Sequence, residues 1–172
     1  SITDLSDKYD ATWATAAEAG PSGAAPAPQT NSSKEWKFHA AQLTYNSTVG
    51  EWASKDKGVL HRLFLRFCVF AYHFGKALSA EHMSVAMEES EKDHVHIHVY
   101  FNTEKVFHHK GRNALDMFIF ETIHPHVVPN RASGGSYAGA VRHGHFYVAV
   151  DKIGSLYTET DYKPFKDYPV EG

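Results

Sequence analysis

Three histidines alternate with apolar residues in the stretch 94–101, HVHIHVYF. A strand sends residues i, i+2 and i+4 to one face. His94, His96 and His98 therefore share a face, while Val95, Ile97 and Val99 turn towards a core. Imidazoles at i and i+2 lie roughly 6–7 Å apart along a strand, close enough to converge on one ion. The preceding apolar segment ends in Glu88, and the polar stretch ESEKD at 89–93 reads as a tight turn that sets this carboxylate beside the imidazoles. Two histidines and a carboxylate make an open site for Mg²⁺, Mn²⁺ or a similar ion. The open positions leave room for a phosphate oxygen. The competing reading is a solvated strand face. It would win for a single histidine, but three in alternation beside an acid favour a metal. HxH strands also occur in cupin-like metal barrels.

The elements that must hold these residues are legible in outline. Trp36–Tyr45 reads as a first strand. Residues 58–78, GVLHRLFLRFCVFAYHFGKAL, carry apolar side chains at helical spacing and form a long helix, apolar on most sides, that packs across a sheet. His82–Glu88 and His94–Phe101 form an antiparallel hairpin. A short helix over 113–118, a strand over 118–128, a short helix over 133–143 and a closing hairpin of 145–151 with 155–160 complete the order β-α-β-β-(α)-β-α-β-β. The fold class is α+β, with a central antiparallel sheet of about five strands and packed helices. Trp36, Trp52 and the Phe-rich helix belong to the core, and Cys68 is a buried, inert thiol within that helix.

The chain has 172 residues, of which 42% are hydrophobic and 13% aromatic. That suffices for one domain with a real core and excludes a disordered chain, a collagen-like fibre or a disulfide scaffold. Cys68 is the single cysteine, so no internal disulfide and no Cys-based zinc finger can form. The thiol fits a reducing compartment. No apolar run spans a membrane and no signal peptide is visible. Residues 1–33 read as a tail and linker rich in Ala, Pro, Gly and Ser, with the folded domain over 34–172. Asp4, Asp7, Asp10 and Glu18 against Lys8 give that tail the whole net charge of −3, leaving a neutral domain that can still present a local basic face.

Three stretches, in order, resemble the HUH endonuclease domain of rolling-circle replication initiator (Rep) proteins of circular single-stranded DNA viruses, plasmids and related transposons. Gln42-Leu43-Thr44-Tyr45-Asn46 resembles the first Rep motif, FLTYP. Val95–Phe101 resembles the His-hydrophobic-His motif, and Glu88, eight residues before His96, resembles the acidic metal ligand. His94/His96 is also a match, but the spacing to Glu88 favours His96 and His98, with His94 flanking. The third motif, usually YxxK on a helix, departs from the pattern. Tyr137 is the preferred nucleophile, yet Ala140 stands where the lysine belongs and Arg142 is the nearest basic residue. Tyr147 with Lys152 is the rival, although FYVAV reads as a strand.

The resemblance implies an RRM-like palm and metal-dependent nicking and joining of single-stranded or hairpin origin DNA. The reaction would run through a 5′-phosphotyrosine, with Tyr45, Lys105, His108, His109, Lys110 and Arg112 as DNA contacts; Tyr45 also reads as core, and KVFHHKGR at 105–112 reads equally as a solvated loop. His124 and His126 flank Pro125 and read as an edge strand more than as ligands. Residues 162–169 read as an arm leading to a helicase domain or to further protomers, which makes the chain an N-terminal fragment located in the host nucleus or cytoplasm. It has no GxxxxGK[ST] loop of its own. Two rivals remain: a catalytically silent module that keeps the Rep fold, and a cupin-like metal protein, against which the long helix argues.

Overall fold

The computed structural model describes residues 34–130, 137–150 and 154–162. The tail 1–33, Lys152 and most of the 162–169 arm lie outside the described residues. The elements are β1 (Glu35–Asn46), α1 (Lys57–Ala77), β2 (Ala80–Glu89), β3 (Val95–Lys110), β4 (His126–Pro129), α2 (Tyr137–Ala149) and β5 (Ser155–Thr160). Single 3₁₀ turns occupy Gly50–Ala53 and Asp116–Phe118. The strands form one five-stranded sheet in the order β4-β1-β3-β2-β5, every neighbouring pair antiparallel. The fold is α+β, as the sequence implies.

Period-two alternation divides the sheet into two faces. One face carries Leu43 and Tyr45 of β1, Val85 and Met87 of β2, and Ile97, Val99 and Phe101 of β3, all buried. Helix α1 covers that face with Leu60, Leu63, Phe64, Phe67, Val69 and Phe74. Burying each such side chain contributes about 1.5–3 kcal/mol, so this layer supplies most of the stability. Asp56 starts α1 by accepting hydrogen bonds from the Gly58 and Val59 amides at 2.7 and 3.1 Å, a cap that contributes about 1 kcal/mol. The other face is thinner. There α2 buries Val141, His145 and Val148 against Ala40, Ala86 and Tyr100. A register shift between Phe38 and Ala40 lets β1 feed both cores.

Four expectations are corrected. Residues 145–149 are helix, not strand: Val141, His145 and Val148 recur at i, i+4 and i+7 and bury one helical stripe. The hairpin with 155–160 is accordingly absent, and β5 pairs with β2 instead. The strand expected over 118–128 shrinks to β4, because residues 120–123 close a turn in which Glu121 and Thr122 adopt positive φ. The helix expected at 113–118 is a single 3₁₀ turn at its end. No described helix is long and apolar enough to cross a membrane.

Candidate metal centre

The hairpin of β2 and β3 pairs Glu88 with His96 and Ala86 with His98, on the face away from α1. Asp93, at φ 61°, turns the chain between the strands, and the Ser90 amide donates to the His94 carbonyl at 2.7 Å. This register puts the Glu88 carboxylate between two imidazoles. Its Oε2 lies 3.1 Å from His96 Nε2 and 3.4 Å from His98 Nε2. The two rings stand 4.6 Å apart at 74°. The three side chains are 12–21% exposed, enclosed enough to be held and open enough to admit a ligand. An ion bonded at about 2.1 Å holds neighbouring ligand atoms roughly 3 Å apart, and the spacings here are close to that. Two neutral imidazoles and a carboxylate fit a divalent ion with open positions. Among the described residues, this is the one group of three or more ligating side chains within reach of a common ion.

Thr44 of β1 faces His98 across the sheet, its Oγ1 3.0 Å from His98 Nδ1. On the far side of β1, His126 pairs with Thr44 and is exposed. It lies two strands from His98 and outside the cluster, in keeping with an edge strand.

The structure does not gather every expected site residue. His94 precedes β3 and stays outside the cluster. It is buried beside the turn, its Nδ1 3.2 Å from the Lys92 carbonyl, in a surface depression with Lys55 and Lys57. The side chains that cluster with Glu88 are therefore those of His96 and His98. Tyr45 cannot stack on a base. It is fully buried on the α1 face, packs edge-on against Phe67 at 4.7 Å and donates to the Phe118 carbonyl at 2.6 Å. Burial pushes its phenol pKa well up.

Tyr137 opens α2 with its ring 6.4 Å from that of His39. His39 Nδ1 reaches the Thr103 carbonyl, five residues beyond His98, so Tyr137 stands roughly 16 Å along β3 from the cluster. Burial and the Glu81 carboxylate raise its pKa, the wrong direction for a nucleophile. From there α2 runs towards the Glu88 end of the sheet, where the Gly154 carbonyl accepts from the Glu89 amide at 2.7 Å. Tyr147 lies ten residues further, about 15 Å along the helix, half-exposed beside the buried Val148. Arg142 is five residues from each tyrosine, which puts it about 140° round the helix from both. Lys105, His108, His109, Lys110 and Arg112 are exposed at the far end of β3 and just beyond it. His108 and Lys110 face Glu35 at 2.6 and 3.7 Å, and the hydrogen bond from His108, with Lys110 nearby, holds the Glu35 carboxyl below its usual pKa.

Sequence reasoning places Thr44 as a residue that shapes the site strand but not against His98, a pairing that only strand register reveals. It misses Gly144 altogether. Gly144 seats α2 on Tyr100, where an added Cβ would fall 2.3 Å from the ring. Comparison with protein-family models and with curated proteins returns no match.

Proposed function

We propose that this chain is a divalent-metal-dependent domain that nicks and rejoins single-stranded DNA through a tyrosyl–DNA bond, with Tyr147 rather than Tyr137 as the attacking residue. The observation that carries the reading is the Glu88 carboxylate set between His96 and His98 on the open face of the central hairpin. A metal there would polarise the scissile phosphate through its non-bridging oxygens. Glu88, His96 and His98 would hold that ion, and α2 carries the tyrosine. The half-exposed Tyr147 phenol gives its proton to solvent and attacks phosphorus. The P–O3′ bond breaks, the departing 3′ oxygen takes up a proton, and a 5′-phosphotyrosine remains. Attack by a 3′-OH on that ester reverses the step and reseals the strand.

The partners of this reading are single-stranded or hairpin origin DNA, with a helicase domain or further protomers. Its setting is the host nucleus or cytoplasm. A cupin-like reading is disfavoured because the described strands form one open sheet with a helix on each face, not a barrel. A silent DNA-binding module with the same fold remains the alternative, favoured by the absent YxxK lysine at Ala140.

Covalent capture tests the proposal. Labelled single-stranded and hairpin DNA pools are incubated with the protein and Mn²⁺ and resolved on a denaturing gel. The expected result is a shifted band that EDTA abolishes, that Tyr147→Phe loses and that Tyr137→Phe keeps. A band lost in Tyr137→Phe alone would move the nucleophile to the other end of α2. A protein that binds Mn²⁺ and DNA but never forms the band would be the silent module.

A further inference from the structure

His98 has a polar partner on each side of its ring. Nε2 lies 3.4 Å from Glu88 Oε2, and Nδ1 lies 3.0 Å from Thr44 Oγ1. The 3.4 Å approach to Glu88 is an ion-pair distance rather than a hydrogen bond, but a carboxylate repels a ring lone pair and attracts an N–H, which favours the ring proton on Nε2 with Nδ1 accepting from the Thr44 hydroxyl. Metal ligation needs the opposite arrangement. Nε2 must offer its lone pair, so the proton sits on Nδ1 and donates to Thr44 Oγ1. A carbonyl or carboxylate in place of Thr44 would satisfy only the second state. A hydroxyl serves both by turning its O–H bond.

We propose that Thr44 is a positioning residue that holds the His98 imidazole in one orientation with and without metal, so that loading relocates a ring proton from Nε2 to Nδ1 without rotating the ring. The cross-strand register makes this possible, because Thr44 and His98 are direct partners of β1 and β3. His96 serves as an internal control: among the described residues its hydrogen bond is to Glu88 through Nε2, with no hydroxyl anchor on Nδ1. The inference deepens the metal-centre reading and rests on it.

Two measurements on the full chain test it. Long-range ¹H–¹⁵N spectra of the imidazoles report each tautomer directly, with Zn²⁺ as a diamagnetic probe; calorimetry gives the Zn²⁺ and Mn²⁺ affinities. In the wild type, His98 should be protonated on Nε2 without metal and on Nδ1 with Zn²⁺. Thr44→Val, which keeps the branched shape a strand favours, should weaken both ions about 10–100-fold and disturb the His98 signals while sparing those of His96. Thr44→Ser should restore the affinity. A Thr44→Val protein with wild-type affinity and an unchanged His98 spectrum would overturn the positioning role alone. A wild type that binds neither ion would overturn the metal reading and this inference together. If Thr44→Val does not fold, the wild-type spectra decide: a His98 already protonated on Nδ1 without metal would refute the switch.

Discussion

His145 enters the small core beneath α2 fully buried, with both ring nitrogens engaged. Asn102 Oδ1, an acceptor, lies 2.7 Å from Nε2, so Nε2–H donates; Nδ1 then accepts from Ser84 Oγ at 2.8 Å, and Ser84 in turn meets Thr160 at 2.7 Å. Tyr162 stacks on the ring at 4.4 Å, Tyr100 meets it edge-on at 4.8 Å, and His82 lies 6.0 Å away. Nothing there welcomes a second proton. Burial, with His82 nearby, lowers the pKa from 6.5 to about 3. The unfolded chain therefore binds the proton more tightly than the folded one. The stabilisation is complete above about pH 6.5 and drains away as pH falls from there towards 3, by about 1.4 kcal/mol per unit. His145→Gln, which cannot titrate, should be less stable than wild type at pH 7 by about 1–3 kcal/mol. The gap should close as urea denaturation is repeated at pH 5.5 and 4.5, and a gap constant with pH would disprove the neutral, buried assignment. Tyr45 gives a second residue-level test. Tyr45→Phe loses one buried hydrogen bond, about 1 kcal/mol, and should leave single-stranded DNA affinity unchanged. A several-fold loss of affinity at unchanged stability would return Tyr45 to the DNA surface.

At the level of elements, α2 matters most because it bears both tyrosines on a thin core. Its seat is specific. Gly144 lets the helix backbone lie on the Tyr100 ring, and any Cβ would meet three ring carbons at 2.3–2.7 Å. Gly144→Ala must lift or rotate the helix, at about 1–3 kcal/mol. The covalent DNA adduct should then fall at least tenfold, while Mn²⁺ affinity stays at the wild-type value, because Glu88, His96 and His98 sit on β2 and β3. Equal losses of adduct and metal affinity would show that the seat supports the hairpin rather than the tyrosine. The same contrast explains what the sequence discloses. The β2–β3 hairpin and α1 are legible because alternation and helical spacing are strong there, and both pack on the large core. Helix α2 is not, because FYVAV is also a good strand string and only the distant docking of Val141, His145 and Val148 on Ala40, Ala86 and Tyr100 makes it helical. The strand over 155–160 is legible but its partner is not: with 145–149 in a helix, its neighbour among the described strands is β2.

In the whole molecule, the two sheet faces divide the labour. The α1 face stabilises; the opposite face carries the Glu88–His96–His98 cluster at one end and the α2 seat beside it. The Glu88–His96–His98 cluster could be inferred from sequence because its parts lie within one hairpin. The path of a DNA strand could not, since it depends on how far β3 extends. The strand continues to Lys110, twelve residues past His98, but it bulges between Asn102 and Phe107, so that β1 spans the same stretch with nine residues, roughly 30 Å. In the proposed reading, the exposed Lys105, His109 and Arg112 therefore cannot touch a phosphate held at the Glu88–His96–His98 cluster. Instead they can grip a strand some distance from it. A ligand of about four nucleotides centred on the metal should not feel them, whereas one of about 16 nucleotides should. The Lys105→Ala/Arg112→Ala double variant should weaken binding of the longer DNA about 5–20-fold at low salt. It should also flatten the dependence of log affinity on log salt by roughly 0.7 for each phosphate that is no longer neutralised. Affinity for the short DNA and the rate of adduct formation on it should be unchanged. Fluorescence anisotropy over a salt series at the two lengths decides. If both lengths weaken equally, the basic segment folds back on the metal end when DNA binds; if neither weakens, DNA leaves the site across β1 and β4 and the basic segment is a solvated surface.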